Sequence, residues 1–220
     1  MTTTPTLEPR IDEGTANMDI LVTESNGGTA AEAVAELEAA GHRVHRCHAP
    51  SAPAFPCAGL LSGCPLEDGT IDLVVAARDH VRPTPTASED GVTCGLRRGI
   101  PVAVLGQSLM NPFEPFGAIA VTGDLVSACE RIARSRRGAY EEVAIATVRQ
   151  ALAYEGMPTD RAAVSVERID GRLRVQVFVP VEVPERVRQH LAVRVVGRLR
   201  EHDRHVAGID IGVADLDEAT

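Results

Sequence analysis

The sequence contains no lysine and no tryptophan, and it has few aromatic residues of any kind. All 22 basic residues are arginine, and only two tyrosines and four phenylalanines occur among 220 residues. The absence of lysine excludes Schiff-base chemistry and a phosphate-binding loop that depends on lysine. So few aromatic residues offer little surface on which nucleic-acid bases could stack. The formal net charge of −9 provides no positive field that would attract phosphates. We therefore expect no nucleic-acid partner.

Long hydrophobic runs are also missing. No segment approaches the roughly 18 apolar residues that a membrane helix needs, and the N-terminus has neither the basic start nor the apolar stretch of a signal peptide. These absences predict a cytoplasmic protein without a membrane span. Residues 1–17 are polar and rich in threonine and proline, a composition that predicts a disordered tail.

Short apolar strands alternate with helical patterns between residues 18 and 137. Strand patterns occupy residues 19–22, 43–47, 71–76, 100–105 and 117–121, and helical patterns occupy residues 29–40, 88–98 and 124–136. Such alternation is typical of a parallel sheet covered by helices on both faces. The first unit, residues 18–137, is therefore predicted to be an α/β domain with a five-stranded parallel sheet. Ser88 is a candidate N-cap of the second helix.

A second pattern follows a predicted linker at residues 135–138. A helix over residues 141–155 precedes strands at 163–166 and 173–179, which Asp170-Gly171 joins as a hairpin turn signal. A helix of about 18 residues, judged by its periodicity, starts at Pro184, and a strand at 209–213 closes the unit. The order αββαβ predicts a small α+β domain, residues 141–215, with a three-stranded sheet and helices on one face.

The first unit resembles the flavodoxin-like fold, which includes the receiver domains of bacterial response regulators. The resemblance rests on five strands, a first helix from Thr29 and a third strand containing Asp72-Leu-Val-Val75. A working receiver needs an acidic pair after strand one, an acceptor aspartate after strand three and a lysine after strand five. Here only Glu24 matches these positions. The resemblance therefore implies a receiver-like unit that does not relay phosphoryl groups.

Flavodoxins offer a second local match, in the loop Thr23-Glu-Ser25-Asn-Gly-Gly28-Thr29-Ala. It resembles their phosphate loop, where hydroxyl and backbone N–H groups at a helix N-terminus hold the phosphate of FMN. The resemblance makes Ser25, Gly28 and Thr29 candidate cofactor-binding residues. The alternative interpretation is a turn in which Ser25 or Thr29 caps the helix.

Four of the five cysteines fall in one region of the first unit. Cys47 ends the second strand, Cys57 and Cys64 lie in the Pro-rich loop 48–68, and Cys94 lies in the following helix. Because this topology brings all four near the carboxyl edge of the sheet, they are candidate ligands for zinc or an iron–sulfur cluster. His48 is a possible additional ligand, and His45 a weaker one.

The spacing of these cysteines contains no Cys-x₂-Cys pair and fits no standard zinc or ferredoxin pattern. A redox pair of Cys57 and Cys64, or buried inert thiols, are the alternatives. Cys129, inside the last helix of the unit, is expected in the core.

The second unit loosely resembles the alkaline-shock or envelope-stress protein family. The similarity lies in Tyr154-Glu-Gly156, Asp170-Gly171, Pro184-Glu-Arg-Val187 and the final Ile209-Asp-Ile-Gly-Val-Ala-Asp215. That family is non-enzymatic and associates through its small domain, which implies a protein partner or a homodimer. We therefore expect a non-catalytic regulatory or stress-linked protein with a cysteine-lined metal or cluster site. The alternative is a flavodoxin-like redox protein that binds FMN or another phosphate-bearing ligand.

Overall fold

The structure is a computed structural model that describes residues 17–50, 52–79, 83–106, 110–180 and 182–216. The expected disordered tail, residues 1–17, lies outside these ranges except for Asn17. The strands are β1 (Asp19–Glu24), β2 (Arg43–Arg46), β3 (Leu73–Ala77), β4 (Val102–Leu105), β5 (Ile119–Ala120), β6 (Ala163–Ile169), β7 (Arg172–Val179) and β8 (Gly208–Asp215). The helices are α1 (Ala31–Ala39), α2 (Ala58–Leu61), α3 (Asp90–Arg97), α4 (Leu125–Tyr154) and α5 (Glu185–His202).

The first sheet has five strands in the order β2-β1-β3-β4-β5, and every neighbouring pair is parallel. The predicted parallel sheet with helices is thus confirmed. Both faces are covered, because alternate side chains of one strand enter different apolar clusters. Ile20 and Val22 pack with α1 and the first half of α4, whereas Leu21 between them packs on the side of α3.

The second sheet has three strands in the order β6-β7-β8, with β6 antiparallel and β8 parallel to β7. The predicted small unit with a three-stranded sheet and helices is thus confirmed, and the structure shows that this sheet is mixed. Asp170 and Gly171 both have positive φ, 47° and 74°, as a two-residue type I′ hairpin turn requires. Four buried residues of α5 at helical spacing face the inner residues of β7; they are Val187, Leu191, Val195 and Leu199.

One continuous helix of 30 residues, α4, connects the two units. The linker expected at residues 135–138 is therefore wrong, because those residues lie inside α4 and keep its helical conformation. Asp124 caps the helix by accepting a hydrogen bond from the N–H of Ser127 at 2.7 Å. Although α4 is long, none of the helices in the described ranges is apolar enough over a sufficient length to cross a membrane.

The second unit contacts the amino edge of the parallel sheet. Arg168 of β6 lies 2.8 Å from Asp72, just before β3, and donates to the carbonyl of Gly69 at 2.6 Å. Arg43 of β2 reaches Asp170 of the hairpin turn at 3.3 Å. Since the cysteines belong to the carboxyl edge, the contact between the units and the candidate ligands lie at opposite ends of the same sheet.

Candidate functional site

Two short contacts join the segments that carry Cys47, Cys57 and Cys64. The carbonyl of Cys47 accepts a hydrogen bond from the N–H of Ala58, the residue after Cys57, at 2.7 Å. A Cβ atom on Gly59 would lie 3.1 Å from the Cβ of Cys64, so the two ends of the α2 turn touch. The part of the loop that contains Cys57 and Cys64 thus folds back on the end of β2, next to Cys47.

The fourth cysteine, Cys94, lies on α3, and this helix packs directly on Cys47. A Cβ atom on Gly91 would lie 2.8 Å from the sulfur of Cys47 and 2.8 Å from a methyl carbon of Thr23. Only glycine permits so close an approach of the helix. Cys94 follows one helical turn after Gly91, on the same helix.

The four cysteines differ in their exposure to solvent. Cys47 is buried, Cys57 and Cys64 are partly buried, and Cys94 is exposed; all are free thiols. Cys64 packs against the same apolar cluster that contains Cys47. The group therefore extends from the protein interior to the surface, which leaves the outer thiols accessible to an incoming ion. Cys129 is fully buried in the core between α4 and the sheet, where the sequence places it.

The thiols act on one another electrostatically. Burial, followed by the neighbouring sulfurs of Cys64, Cys94 and Cys57, raises the pKa of Cys47 to about 12. Burial first, and then Cys64, also raise the pKa of Cys94, although Arg97 opposes this change. Both are protonated at neutral pH and are weak nucleophiles. Mutual repulsion of thiolates is the interaction that a cation placed among them reverses.

The present side-chain positions stop short of a complete coordination sphere. Within the part of the chain that the structure describes, no three His, Cys, Asp or Glu side chains are arranged to hold a metal ion. Ligation of the four sulfurs would therefore draw Cys57 and Cys64, on their loop, closer to Cys47 and Cys94.

The two candidate histidines have different surroundings. Both ring nitrogens of His48 are buried and have no hydrogen-bond partner among the described residues. His48 also lines a small polar cavity of about 20 Å³ together with Cys47, Glu24 and Ser88. His45, by contrast, lies 2.7 Å from the carboxylate of Asp19 through Nε2. His48 is thus the histidine that has ring nitrogens available beside the cysteines.

The loop that resembles the flavodoxin phosphate loop binds a carboxylate of its own chain. Glu24 Oε2 accepts hydrogen bonds from the N–H groups of Gly28, at 3.0 Å, and Ala30, at 3.2 Å. Ser25 donates to Asp79 across the ends of β1 and β3 at 2.9 Å, and Thr29 N–H donates to the carbonyl of Asn26. A phosphate at this loop would have to displace the negative charge of Glu24.

Sequence reasoning missed the roles of two acidic residues at this edge. Glu24 was identified only as a remnant of an acidic pair, yet it provides the acceptor at the start of α1. Asp79 accepts hydrogen bonds from both Ser25 and Asn26. Its position, two residues after β3, is the signal that it would meet the loop after β1, because neighbouring parallel strands end at the same edge.

The helix α3 is fixed by another residue pair that sequence reasoning did not find. Glu89 accepts a hydrogen bond from Arg78 at 2.6 Å, and it forms a capping box with Thr86. Thr86 caps the short 3₁₀ turn Ala87–Glu89 that leads into α3, and Ser88 lies inside this turn, so the N-cap predicted at Ser88 is wrong.

The chain matches no protein-family model, and a search of curated proteins gave no significant match.

Proposed function

We propose that Cys47, Cys57, Cys64 and Cys94 bind a thiophilic metal centre, either a zinc ion or an iron–sulfur cluster, in a non-catalytic regulatory protein. The observation that carries the proposal is the convergence of two chain segments on Cys47 at the end of β2: the α2 loop contacts its carbonyl oxygen, and α3 packs on its sulfur. Sulfur ligands select zinc and iron–sulfur centres over hard cations such as magnesium.

The electrostatic surroundings of the thiols support a metal centre over a nucleophile. A reactive cysteine needs a lowered pKa, whereas burial and neighbouring sulfurs raise the pKa values of Cys47 and Cys94. A metal ion among the sulfurs replaces repulsion by attraction and displaces their protons. His48 would serve as an alternative ligand or as a hydrogen-bond donor to a bound sulfur.

In this proposal, occupancy of the site orders the loop 48–68. Two ligands, Cys57 and Cys64, flank the four-residue helix α2, which exposes the apolar side chains of Leu60 and Leu61. Ligation would fix their position and so change the surface that a protein partner meets. The second unit would provide assembly, as its resemblance to envelope-stress proteins implies, because β6 and β8 each pair on one side only within the described residues.

Elemental analysis combined with an absorption spectrum tests the metal centre. The protein should be untagged and purified anaerobically without chelators. We expect near-stoichiometric zinc in a colourless protein, or iron with matching sulfide in a brown one. Cys57→Ser and Cys64→Ser should lose the metal, whereas Cys129→Ala, which removes a thiol elsewhere in the same unit, should keep it.

Two outcomes would overturn the proposal. One is a metal-free protein that also fails to take up zinc or a reconstituted cluster. The other is a metal content that is unchanged in both serine variants. Sedimentation analysis of the same preparations tests the assembly role, for which a monomer at all concentrations and occupancies would be the contrary result.

A further inference from the structure

A cavity rich in arginine lies where the second unit meets the amino edge of the parallel sheet, opposite the cysteines. It measures about 60 Å³, enough for a few water molecules or one small anion. Six polar residues from both units line it: Asn17, Asp72, Arg136, Arg137, Tyr140 and Arg168. No cysteine lines this cavity, which is separate from the proposed metal centre.

The guanidinium of Arg168 is incompletely satisfied. Its Nη2 donates to the carbonyl of Gly69 at 2.6 Å. Its Nε lies 2.8 Å from Asp72 Oδ1, close enough for an ion pair but outside hydrogen-bond geometry. Its Nη1 is buried without a hydrogen-bond partner among the described residues. A buried donor left in this state costs free energy that an anionic acceptor would recover.

A second arginine, Arg137 of α4, lines the cavity without any competing partner. No ion pair or side-chain hydrogen bond joins Arg137 to another residue of the described ranges, although its side chain is only partly exposed. Its neighbour Arg136 is bound differently, since it donates to Asp203 at 2.9 Å and to Tyr140 at 3.0 Å. Among the described residues that line the cavity, Arg137 is therefore a cation whose charge no carboxylate compensates.

The charges around the cavity sum to a positive value. The charged residues that line it are three arginines and one carboxylate, Asp72, and Arg136 is engaged by Asp203, which lies outside the lining. Burial raises the pKa of Asp72. Asp72 also has one oxygen occupied by the N–H of Asp19. The uncompensated charge is that of Arg137 and part of Arg168.

We propose that this cavity binds a tetrahedral oxyanion, either inorganic phosphate or the phosphate group of a monoester, through Arg137 and Arg168. Guanidinium groups bind such anions through paired N–H donors, and their charge does not depend on pH in the physiological range. Because Arg137 ends the first unit and Arg168 belongs to β6 of the second unit, an anion bound to both would link the two units. The site is therefore a ligand sensor at the junction of the units.

The surrounding surface has room for the rest of a monoester. A larger cavity of about 490 Å³ shares Arg136 and Tyr140 with the first, and it is also lined by Arg97 and Arg204. A phosphate monoester could thus place its phosphate between Arg137 and Arg168 and its organic part in the larger cavity.

Thermal unfolding of the full-length chain in a phosphate-free buffer tests this site. Sodium phosphate should raise the unfolding midpoint by a few degrees in a saturable manner, relative to sodium chloride at equal ionic strength. Arg137→Gln and Arg168→Gln should each weaken binding, measured by calorimetric titration, roughly tenfold or more. Arg131→Gln removes the same charge from an exposed position on the same helix and should bind like the wild type.

The outcomes separate specific binding from general effects of charge. An equal response of the wild type and Arg137→Gln, or an equal effect of chloride, would show an adventitious ion only and would overturn the proposal. Arg137→Gln decides even if Arg168→Gln disturbs the fold, because no ion pair or side-chain hydrogen bond joins Arg137 to another of the described residues. Equally tight binding of succinate would contradict the tetrahedral assignment. Tighter binding of glycerol phosphate than of inorganic phosphate identifies a monoester as the ligand, and the reverse identifies free phosphate.

Discussion

Arg78 and Glu89 form an ion pair at the carboxyl edge of the sheet that is almost completely shielded from solvent. Arg78 Nη1 lies 2.6 Å from Glu89 Oε1, and the two side chains are 2% and 0% exposed. The other oxygen of Glu89 accepts a hydrogen bond from the N–H of Thr86 at 2.7 Å. Since Arg78 follows β3 and Glu89 precedes α3, the pair holds the helix that carries Cys94 against the sheet.

Removal of one partner should be costly because it leaves the other charge buried. We expect Glu89→Ala to lower the free energy of unfolding by about 3 to 5 kcal/mol, measured by urea denaturation followed by circular dichroism. The control is Glu201→Ala, which breaks the exposed pair with Arg198 and should cost less than about 1 kcal/mol. Equal losses in the two variants would mean that the buried pair does not hold α3.

The hydrogen bonds of Asp203 predict a dependence of stability on pH. Burial opposes its ionisation, but the hydrogen bonds from Tyr140 and the N–H of His205, with the charge of Arg136, outweigh burial and lower its pKa. The folded state thus binds this proton more weakly than the unfolded state. The stabilisation is complete above the unfolded pKa, near 4, and is lost as the pH falls through the lower folded value.

Tyr140→Phe removes the donor at 2.5 Å from Asp203 and should cost about 1 to 2 kcal/mol at pH 7. The cost should shrink below pH 4, where Asp203 becomes protonated in the unfolded chain. Urea denaturation at pH 7 and pH 3 measures both values. A cost that is the same at both pH values would contradict the role assigned to the ionised carboxylate. Tyr154→Phe, at an exposed tyrosine of the same helix, is the matched control.

Alkylation should distinguish the inner thiols from the outer ones. Burial raises the pKa values of Cys47 and Cys129 to about 12, so only about one molecule in 10⁴ has the thiolate at pH 8. We expect iodoacetamide to leave both residues unmodified in the native metal-free protein while it labels the exposed Cys94. Mass spectrometry identifies the labelled residues, and all five should react in strong denaturant. Labelling of Cys47 as fast as Cys94 would show that Cys47 is accessible and that α3 does not cover it.

Local patterns predicted most of the fold, but contacts between distant segments could not be predicted. The hairpin at Asp170-Gly171 and the helix after Pro184 follow from turn chemistry and periodicity, which depend on neighbouring residues. The ion pair between Arg168 and Asp72 joins residues far apart in the sequence, on two units whose relative position no local pattern describes. The placement of the cysteine-bearing segments could be predicted in part. The expected strand order indicated that they share the carboxyl edge of the sheet, but not which contacts they make there.

The linker predicted at residues 135–138 was wrong because this part of α4 carries no apolar stripe in the sequence. Gly138 and its polar neighbours gave no apolar stripe, since Arg136 and Arg137 face the junction of the two units and not a core. Glycine lowers helix propensity but does not end a helix that is held at both ends by packing. Tertiary contacts on each side of residue 138 outweigh this local cost.

Substitutions at Gly138 test whether α4 is continuous. A Cβ atom there would meet no atom within 4 Å, so alanine would add helix propensity without a clash. We expect Gly138→Ala to raise the free energy of unfolding by about 0.5 to 1 kcal/mol, as Gly197→Ala should in α5, where the space is also open. Gly138→Pro should lower it by about 3 kcal/mol or more, because proline removes a helical hydrogen bond and clashes with the preceding turn. A flexible linker would instead tolerate proline and gain little stability from alanine. A large loss of stability in Gly138→Pro, measured by thermal or urea unfolding, therefore indicates one rigid helix between the two units, and no loss indicates a flexible linker.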